Sequence, residues 1–378
     1  MDFYDYKIPY SRMKAQLHQA LDSIVENGDF ILGEEVAHME SRLAEKIGTA
    51  HCVSVSSGSA GLMLALLAAG VKPGDRVLCT SFSFFAVAEA ISFIGATPVF
   101  VDINPNTLNM DPYCLEMVLK RHFRREEPLP RALVASDLFG LPCNLRAMEE
   151  ICSRYGIQLI EDMAQSFGAR IGERMAGSFG RFAVTSFYPN KPLGTFGDGG
   201  AVFCHTDEDA AMLCSLRNHG AQKGTPYHLH IGIGGRLDTI QAAVVSCKLD
   251  FFDEEFESRQ KLADYYNRQL GGKIKTQWVG ADYTSGWAQF PVILESCAQR
   301  EKLVTALREA QIPCHVPYPV PVHRQPAFCD LPRVSLVNAE DMSRRILSLP
   351  MHPYLTKKVV DYICSVVLDT VAATKIAV

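Results

Sequence analysis

One lysine in the sequence stands where an amine could do chemistry, directly behind a short apolar run. Lys191 lies in residues 186–194, which read SFYPNKPLG, after the predicted strand Phe182–Phe187 and between two prolines. Loops at strand ends are common ligand sites in α/β sheets, and proline restricts the backbone there. Taken alone, such a lysine is more often an ordinary surface residue, and that alternative stays open.

An acidic residue ends another apolar run, upstream of the lysine. Asp162 follows the predicted strand Gln158–Ile160, and Gln165 stands three positions later. A carboxylate at the carboxyl end of a strand can point into the crevice above the sheet, where it keeps a nearby ring nitrogen protonated. The alternative is a helix N-cap, a position for which aspartate is also well suited.

Two further features follow strand ends in the same way. Residues 56–61 read SSGSAG between the predicted strand Cys52–Val55 and the predicted helix Ser59–Ala69. Free N–H groups and the helix dipole make such a helix start a seat for phosphate. Residues 82–85 read FSFF after the predicted strand Arg76–Cys79, and one of these rings could lie against a planar ligand or pack in the core. Each feature is weak, but their conjunction indicates one site.

The elements that must position these residues predict an α/β fold with a mostly parallel sheet flanked by helices. Strand-length apolar runs alternate with helical patterns between about residues 50 and 205. The remaining predicted strands are Val99–Val101, Ala132–Ala135 and Gly200–Cys204, and the remaining predicted helices of this region are Phe85–Ile94 and Leu145–Tyr155.

The chain divides after a long helical pattern that runs from Leu237 to about Leu270 and looks like a bridge between domains. We expect a large α/β domain at residues 1–248 and a smaller C-terminal α+β domain at residues 249–378. Four prolines between residues 313 and 321 predict an extended loop in the smaller domain, because proline is excluded from helix interiors and central strands.

Composition argues against several classes of protein. The 37 basic and 42 acidic residues give a net charge of −5, so no general attraction to nucleic acid is expected, and the basic run 120–125 is interpreted as a solvated helix end. The twelve cysteines lack metal-ligand and C-x-x-C spacing, and we expect no metal. No signal peptide and no apolar run of about 18 residues is visible, which predicts a soluble cytoplasmic protein with reduced thiols.

The motifs resemble the DegT/DnrJ/StrS family of sugar aminotransferases, within the fold-type I enzymes that use pyridoxal 5'-phosphate (PLP). The similarity covers nearly the whole chain, through FILG at 30–33, EDxAQS at 161–166, SFYPxKxLG at 186–194, RLD at 236–238 and QPAF at 325–328. Among the subfamilies, the chain resembles UDP-2-acetamido-2-deoxy-3-oxo-glucuronate 3-transaminases. The resemblance implies transamination of a nucleotide-linked keto-sugar with an amino-acid donor, usually glutamate. The product would be an amino sugar for a surface polysaccharide or a related glycan, made by a homodimer with shared active sites.

Roles follow from the resemblance by motif position. Lys191 would carry PLP as a Schiff base, and Asp162 would pair with the pyridine nitrogen. The other cofactor contacts would be Gln165 and Phe84 at the ring, and Ser186, Gly58, Ser59 and Ala60 at the phosphate. Retention of lysine favours transamination, since the related sugar 3-dehydratases carry histidine at this position. Another PLP reaction on the same fold and a non-catalytic PLP-binding regulator stay open as alternatives.

Several substrate positions depart from the family pattern. The motif G-x-N-x-R reads GIGGR at 232–236, so Gly234 lacks the amide that would reach the neighbouring subunit's phosphate. Arg236 is retained and could pair with a substrate carboxylate or phosphate, or with Asp238 nearby.

The motif H-Y-P-x-P reads PYPVP at 317–321, so Pro317 replaces the expected histidine. His315 or His323 could compensate, with Tyr318 as a further candidate contact. The motif H-L-[FY]-G reads DLFG at 137–140. These departures concern the sugar and leave the cofactor positions intact.

Overall fold

The computed structural model describes residues 3–376. Its strands are β1 His51–Val55, β2 Arg76–Thr80, β3 Thr97–Val101, β4 Ala132–Ser136, β5 Gln158–Asp162, β6 Arg170–Ile171, β7 Arg174–Met175, β8 Phe182–Ser186, β9 Gly200–Cys204, β10 Lys275–Thr276, β11 Tyr283–Thr284, β12 Phe290–Ile293 and β13 Ile346–Leu349. Its α-helices are α1 Lys7–Asn27, α2 Glu34–Ile47, α3 Gly58–Ala68, α4 Ala86–Phe93, α5 Pro112–Arg124, α6 Leu145–Tyr155, α7 Asp207–Leu216, α8 Thr239–Leu249, α9 Phe252–Leu270, α10 Cys297–Glu309, α11 Val337–Arg345 and α12 Lys357–Ile376. Short 3-10 turns lie at Leu138–Gly140, Val322–Arg324 and Pro326–Phe328.

A seven-stranded sheet of order β1-β9-β8-β5-β4-β2-β3 forms the large part of the protein. Neighbouring strands are parallel except for β9, which is antiparallel to both β1 and β8. This arrangement pairs Gly200 with Val55 on one side and with Ser186 on the other. The loops that follow β1, β5 and β8 therefore leave the sheet at the same edge.

The strands of the sheet are apolar because both of its faces are covered. β4 is buried along its whole length, and α3, which packs on β8 and β9, consists of small and aliphatic residues. Removal of this apolar surface from water is the main favourable term in folding. The resulting core holds the sheet edge in a fixed position, as a catalytic site requires.

The sheet prediction is confirmed, and each predicted strand or helix in this region lies within two residues of an observed one. The prediction of a single long helix from Leu237 to about Leu270 is wrong. The structure has two helices, α8 and α9, with a break at Phe251, whose φ and ψ angles of −123° and 11° are not helical. The break lets α8 stay buried against α1 and α2, while Phe252 packs edge-on against Phe167 and the charged α9 turns toward α12.

The C-terminal part has a second apolar cluster around an antiparallel sheet of order β10-β12-β13. Tyr266 of α9 stacks on Phe290 of β12 inside this cluster. Residues 313–321 form the expected extended loop. We propose that the boundary between the two domains falls near residue 248, where α8 ends.

Two composition-based expectations also have structural counterparts. Among residues 3–376, no helix is long and apolar enough to cross a membrane. The basic run closes α5, where Arg121 and Arg124 are exposed, although His122 is buried and lies 3.0 Å from Glu127.

Candidate active site

The turn after β1 lies directly against the end of β8. A Cβ atom added to Gly58 would lie 2.8 Å from the Cβ of Ser186, closer than such atoms approach in proteins. Glycine is therefore required for this close approach. The register of β1, β9 and β8 thus brings Gly58 and Ser186, two of the predicted phosphate contacts, side by side.

The start of α3 leaves backbone donors for an anion. Ser57 is the N-cap, and its hydroxyl accepts a hydrogen bond of 3.1 Å from the N–H of Ala60. The N–H groups of Gly58 and Ser59 precede the first intrahelical bond and point along the helix axis. Of the three predicted backbone contacts, Ala60 is therefore the one whose N–H already has a partner.

Lys191 is held in a turn beyond β8 and is only partly exposed. Its N–H donates to the carbonyl of Tyr188 over 2.9 Å. Burial lowers the pKa of the Lys191 amine from its usual 10.5, and the negative charge of Asp162 opposes that shift. The amine and the carboxylate are thus close enough to influence each other's charge, as the predicted site requires.

Asp162 occupies the last position of β5. One carboxylate oxygen accepts a hydrogen bond of 3.2 Å from the N–H of Ala164. Burial raises the pKa of the carboxyl group, whereas that N–H and the charge of Lys191 lower it. Residues 163–168 form turns and no helix, so the alternative of an N-cap is wrong.

The side chain of Gln165 is fixed at both ends. Its amide nitrogen donates to the hydroxyl of Tyr318 at 2.9 Å, and its carbonyl oxygen accepts from the N–H of Phe139 at 3.0 Å. Tyr318 lies in the proline-rich loop with a left-handed φ of +49°. Two predicted site residues from distant parts of the chain are therefore in direct contact.

The aromatic run after β2 divides into buried and exposed rings. Phe82 is fully buried and packs edge-on against Tyr318, with ring centroids 5.2 Å apart. Phe84 is 63% exposed. Core packing therefore accounts for Phe82, whereas Phe84 remains available to a planar ligand.

The predicted substrate residues come from two parts of the chain, since Arg236 precedes α8 and both His315 and Tyr318 lie in the proline-rich loop. Arg236 donates a hydrogen bond of 2.5 Å to the side chain of Asn218. This hydrogen bond takes the place of the ion pair with Asp238 that the sequence offered as an alternative. The segment that carries it lies beside the phosphate turn, because the N–H of Ser56 donates to the carbonyl of Gly235 over 2.8 Å.

The two candidate histidines differ in their availability. His315 forms a backbone bridge to Ser348, and its partly buried ring lies edge-on to Phe3 with centroids 6.4 Å apart. His323 is engaged on both ring nitrogens, at 2.5 Å from the hydroxyl of Ser81 and 3.2 Å from Glu340. His323 is therefore a structural residue, and the hypothesis that it compensates for Pro317 is wrong.

The imidazole of His219 lies close to Gly234. A Cβ atom added there would lie 3.0 Å from the ring of His219. His219 itself has a left-handed φ of +59° and is exposed. The space that a larger side chain would need is thus taken by a histidine that the sequence did not single out.

Two buried carboxylates beside Asp162, which the sequence did not single out, support the structure of the site. Asp137 accepts from the hydroxyl of Ser166 at 2.6 Å and from the N–H of Cys143 at 2.7 Å. Glu161 accepts three backbone N–H groups of residues 177–180, each at 2.6 Å. The departure from the family motif at residues 137–140 was the sequence signal that could have identified Asp137. Side chains alternate along a strand, so Glu161 lies on the face of β5 opposite Asp162.

Taken together, the residues fit a planar cofactor that carries a phosphate and reacts with an amine. The crowded Gly58 and the open N–H groups of α3 suit the phosphate, and Asp162 and Lys191 suit a basic ring nitrogen and a reactive carbonyl. This is the chemistry of PLP.

Comparison with known proteins identifies the family. The model of the DegT/DnrJ/EryC1/StrS aminotransferase family matches residues 11–368. The chain is 37% identical over 368 residues to UDP-2-acetamido-2-deoxy-3-oxo-D-glucuronate aminotransferase of Pseudomonas aeruginosa, covering 97% of this chain and 99% of the relative. It is 35% identical over 359 residues to dTDP-3-amino-3,4,6-trideoxy-alpha-D-glucose transaminase of Streptomyces venezuelae, covering 94% and 92%.

A solved structure agrees with the fold. The crystal structure of a DegT DnrJ EryC1 StrS aminotransferase from Brucella abortus superposes with a TM-score of 0.93 at 38% identity, covering 97% of this chain and 98% of that one. The resemblance seen in the motifs is confirmed, and so is the α/β fold. The chain belongs to the DegT/DnrJ/EryC1/StrS family and is a PLP-dependent aminotransferase.

Proposed function

We propose that this protein transfers an amino group from L-glutamate to a nucleotide-linked keto-sugar, giving an amino sugar for a surface polysaccharide or a related glycan. The observation that carries the proposal is the register that places Gly58, at the start of α3, against Ser186, at the end of the strand that leads to Lys191. The names of the relatives support a sugar acceptor, since two of them are transaminases of nucleotide-linked sugars.

Lys191 has the central role in this proposal. Its amine would hold the cofactor and would act as the general base that moves a proton from the α-carbon of the donor. Burial favours the neutral, basic form of the amine. When bound, PLP supplies an electron-withdrawing ring that accepts the electron pair left behind on that carbon.

Asp162 and Gln165 orient this chemistry. The carboxylate of Asp162 holds a proton on the ring nitrogen, and the hydrogen bond from Ala164 fixes its position. Gln165 has both ends of its amide engaged, so it presents a rigid face to the ring. The N–H groups of Gly58 and Ser59, with the hydroxyl of Ser186, bind the phosphate.

The overall reaction conserves its atoms. L-glutamate and the keto-sugar give 2-oxoglutarate and the amino sugar, so the donor carbon is oxidised and the sugar carbon is reduced. The two substrates use the same Lys191 in turn, which implies ping-pong kinetics.

We also propose that the protein acts as a homodimer with shared active sites. Exposed apolar side chains around the site support an interface. Ile31 is 49% exposed and bridges to Asp238 next to Arg236, and Ile231 of the adjoining loop is 93% exposed. Such apolar exposure is typical of surfaces that a partner covers.

A substrate screen tests the proposal. The PLP-loaded protein is incubated with L-glutamate together with one nucleotide-linked 3-keto or 4-keto sugar at a time, and both 2-oxoglutarate and amino sugar are measured. The proposal expects equal amounts of both products with at least one sugar. Formation of a deoxygenated sugar, or PLP binding without any turnover, would favour the dehydratase or the regulator instead.

A further inference from the structure

A small cavity of about 40 Å³ opens beside Lys191. A water molecule needs about 10–15 Å³ of such space, so the cavity suits a group the size of a carboxylate and not a sugar ring. Besides the lysine loop, its walls come from the N-terminal segment, α8, α9 and the segment before α12. The polar side chains of these walls are Tyr4, Asp5, Tyr6, Lys248, Glu255, Arg259, His352 and Tyr354.

Among the described residues that line the cavity, Arg259 and Asn190 each have a buried polar atom without a hydrogen-bond partner, and Arg259 is the one that carries a charge. It lies on α9 and is only 7% exposed. Within residues 3–376, its Nη1 atom has no hydrogen-bond partner. Its ion pair with Glu255 is long, at 3.9 Å between Nη2 and Oε2. A buried guanidinium costs free energy unless an anion and hydrogen bonds compensate, so this side chain calls for a further partner.

The two acidic side chains of the cavity wall form hydrogen bonds with groups other than Arg259. The second carboxylate oxygen of Glu255 accepts a short hydrogen bond from the hydroxyl of Tyr354. Asp5 accepts from the N–H groups of Lys7 and Ile8, at 2.9 and 3.0 Å, at the start of α1. Neither carboxylate forms a hydrogen bond with the Nη1 atom of Arg259.

Tyr4 lines the same cavity and carries a hydroxyl that can act as a second donor. The N-terminal segment lies across the site, since the neighbouring Phe3 contacts the ring of His315. Burial raises the pKa of the Tyr4 hydroxyl, and the charge of Arg259 opposes that shift. The hydroxyl therefore stays protonated and can donate to an anion.

We infer that Arg259 and Tyr4 bind a carboxylate of the amino-acid donor beside Lys191. This inference rests on the proposed function, because it assigns a site to the donor of that reaction. A nucleotide-linked sugar is too large for a cavity of this volume. A planar guanidinium is well suited to bind a carboxylate through two parallel hydrogen bonds.

The test uses the PLP-loaded protein and two probes. L-glutamate is titrated in single-turnover release of 2-oxoglutarate, and binding of glutarate, which has no amine, is measured by calorimetry. We expect Arg259→Gln to raise the half-saturating glutamate concentration and the glutarate Kd at least tenfold. Arg268→Gln, an exposed arginine on the same helix, should leave both unchanged.

Tyr4→Phe keeps the charge of the cavity and serves as a milder variant, expected to raise both constants about threefold. If Arg259→Gln loses its PLP or its fold, as judged by absorbance and melting temperature, the result for Tyr4→Phe tests the inference. Glutarate affinities that do not change in either folded variant would overturn the inference, as would a change confined to the KM of the sugar. A wild-type protein that releases no 2-oxoglutarate would instead refute the proposed function, and glutarate binding would still test the cavity.

Discussion

The side-chain amide of Gln165 donates a 2.9 Å hydrogen bond to the hydroxyl of Tyr318, which joins the turn after β5 to the proline-rich loop of the C-terminal part. Asp162 begins the same turn, so the acid proposed for the cofactor is tied to a loop 153 residues from Gln165. Tyr318 adopts a left-handed φ of +49°, a conformation that costs a non-glycine residue roughly 1–2 kcal/mol. The hydrogen bond helps to hold the loop in that conformation.

Tyr318→Phe should therefore destabilise the protein. The amide of Gln165 loses its partner in a buried place, and the free energy of unfolding should fall by about 1–2 kcal/mol, as measured by urea denaturation. Tyr113→Phe is the matched control, because Tyr113 is 70% exposed and its replacement should change stability by less than about 0.5 kcal/mol. Equal stability of both variants would show that the bond is unimportant.

Asp162→Asn should leave PLP bound but slow transamination. The substitution keeps the shape of the side chain while removing the charge that holds the proton on the ring nitrogen, and we expect a loss of about 100-fold in rate. The measurement is the rate of 2-oxoglutarate release from L-glutamate in a single turnover. A variant with the wild-type rate would remove Asp162 from the mechanism.

The pH dependence of PLP attachment should reveal the environment of Lys191. Burial lowers the pKa of the amine below 10.5, so apoprotein should react with PLP with a midpoint below that pH. Asp162 opposes the shift, and Asp162→Asn should therefore move the midpoint lower still. Borohydride trapping at a series of pH values measures this midpoint, and a shift to higher pH in the variant would contradict the assignment.

Gly58→Ala should weaken PLP binding at least tenfold. The added Cβ would lie 2.8 Å from that of Ser186 and would push the start of α3 away from the phosphate. Gly224→Ala controls for general strain, because Gly224 has a φ of +77° but open space around it. Fluorescence titration of the apoprotein with PLP should show normal affinity for the control, and normal affinity for Gly58→Ala would refute this phosphate seat.

The sequence was sufficient for the sheet and for the order of the site residues along the chain. Apolar runs and turn residues are local signals, which is why the bounds of β9 and α6 were predicted correctly. The meeting of Val55, Gly200 and Ser186 was not predictable, because it depends on the antiparallel insertion of β9 between two strands distant in sequence.

The remaining discrepancies arise from packing across the chain. The break at Phe251 depends on aromatic neighbours from another segment, and periodicity alone cannot show it. Arg259 looks like any other charge on the polar helix α9 until its burial is known. Likewise, His323 could be excluded as a substrate contact only after Ser81 and Glu340 were seen on its ring.

The most direct test of the central claim is a single turnover of L-glutamate by the purified, PLP-loaded protein without any sugar. We expect one equivalent of 2-oxoglutarate per active site from the wild type. Lys191→Ala should release none within the same time. Release of 2-oxoglutarate by Lys191→Ala at the wild-type rate, or no release by a wild type with fully bound PLP, would contradict that claim.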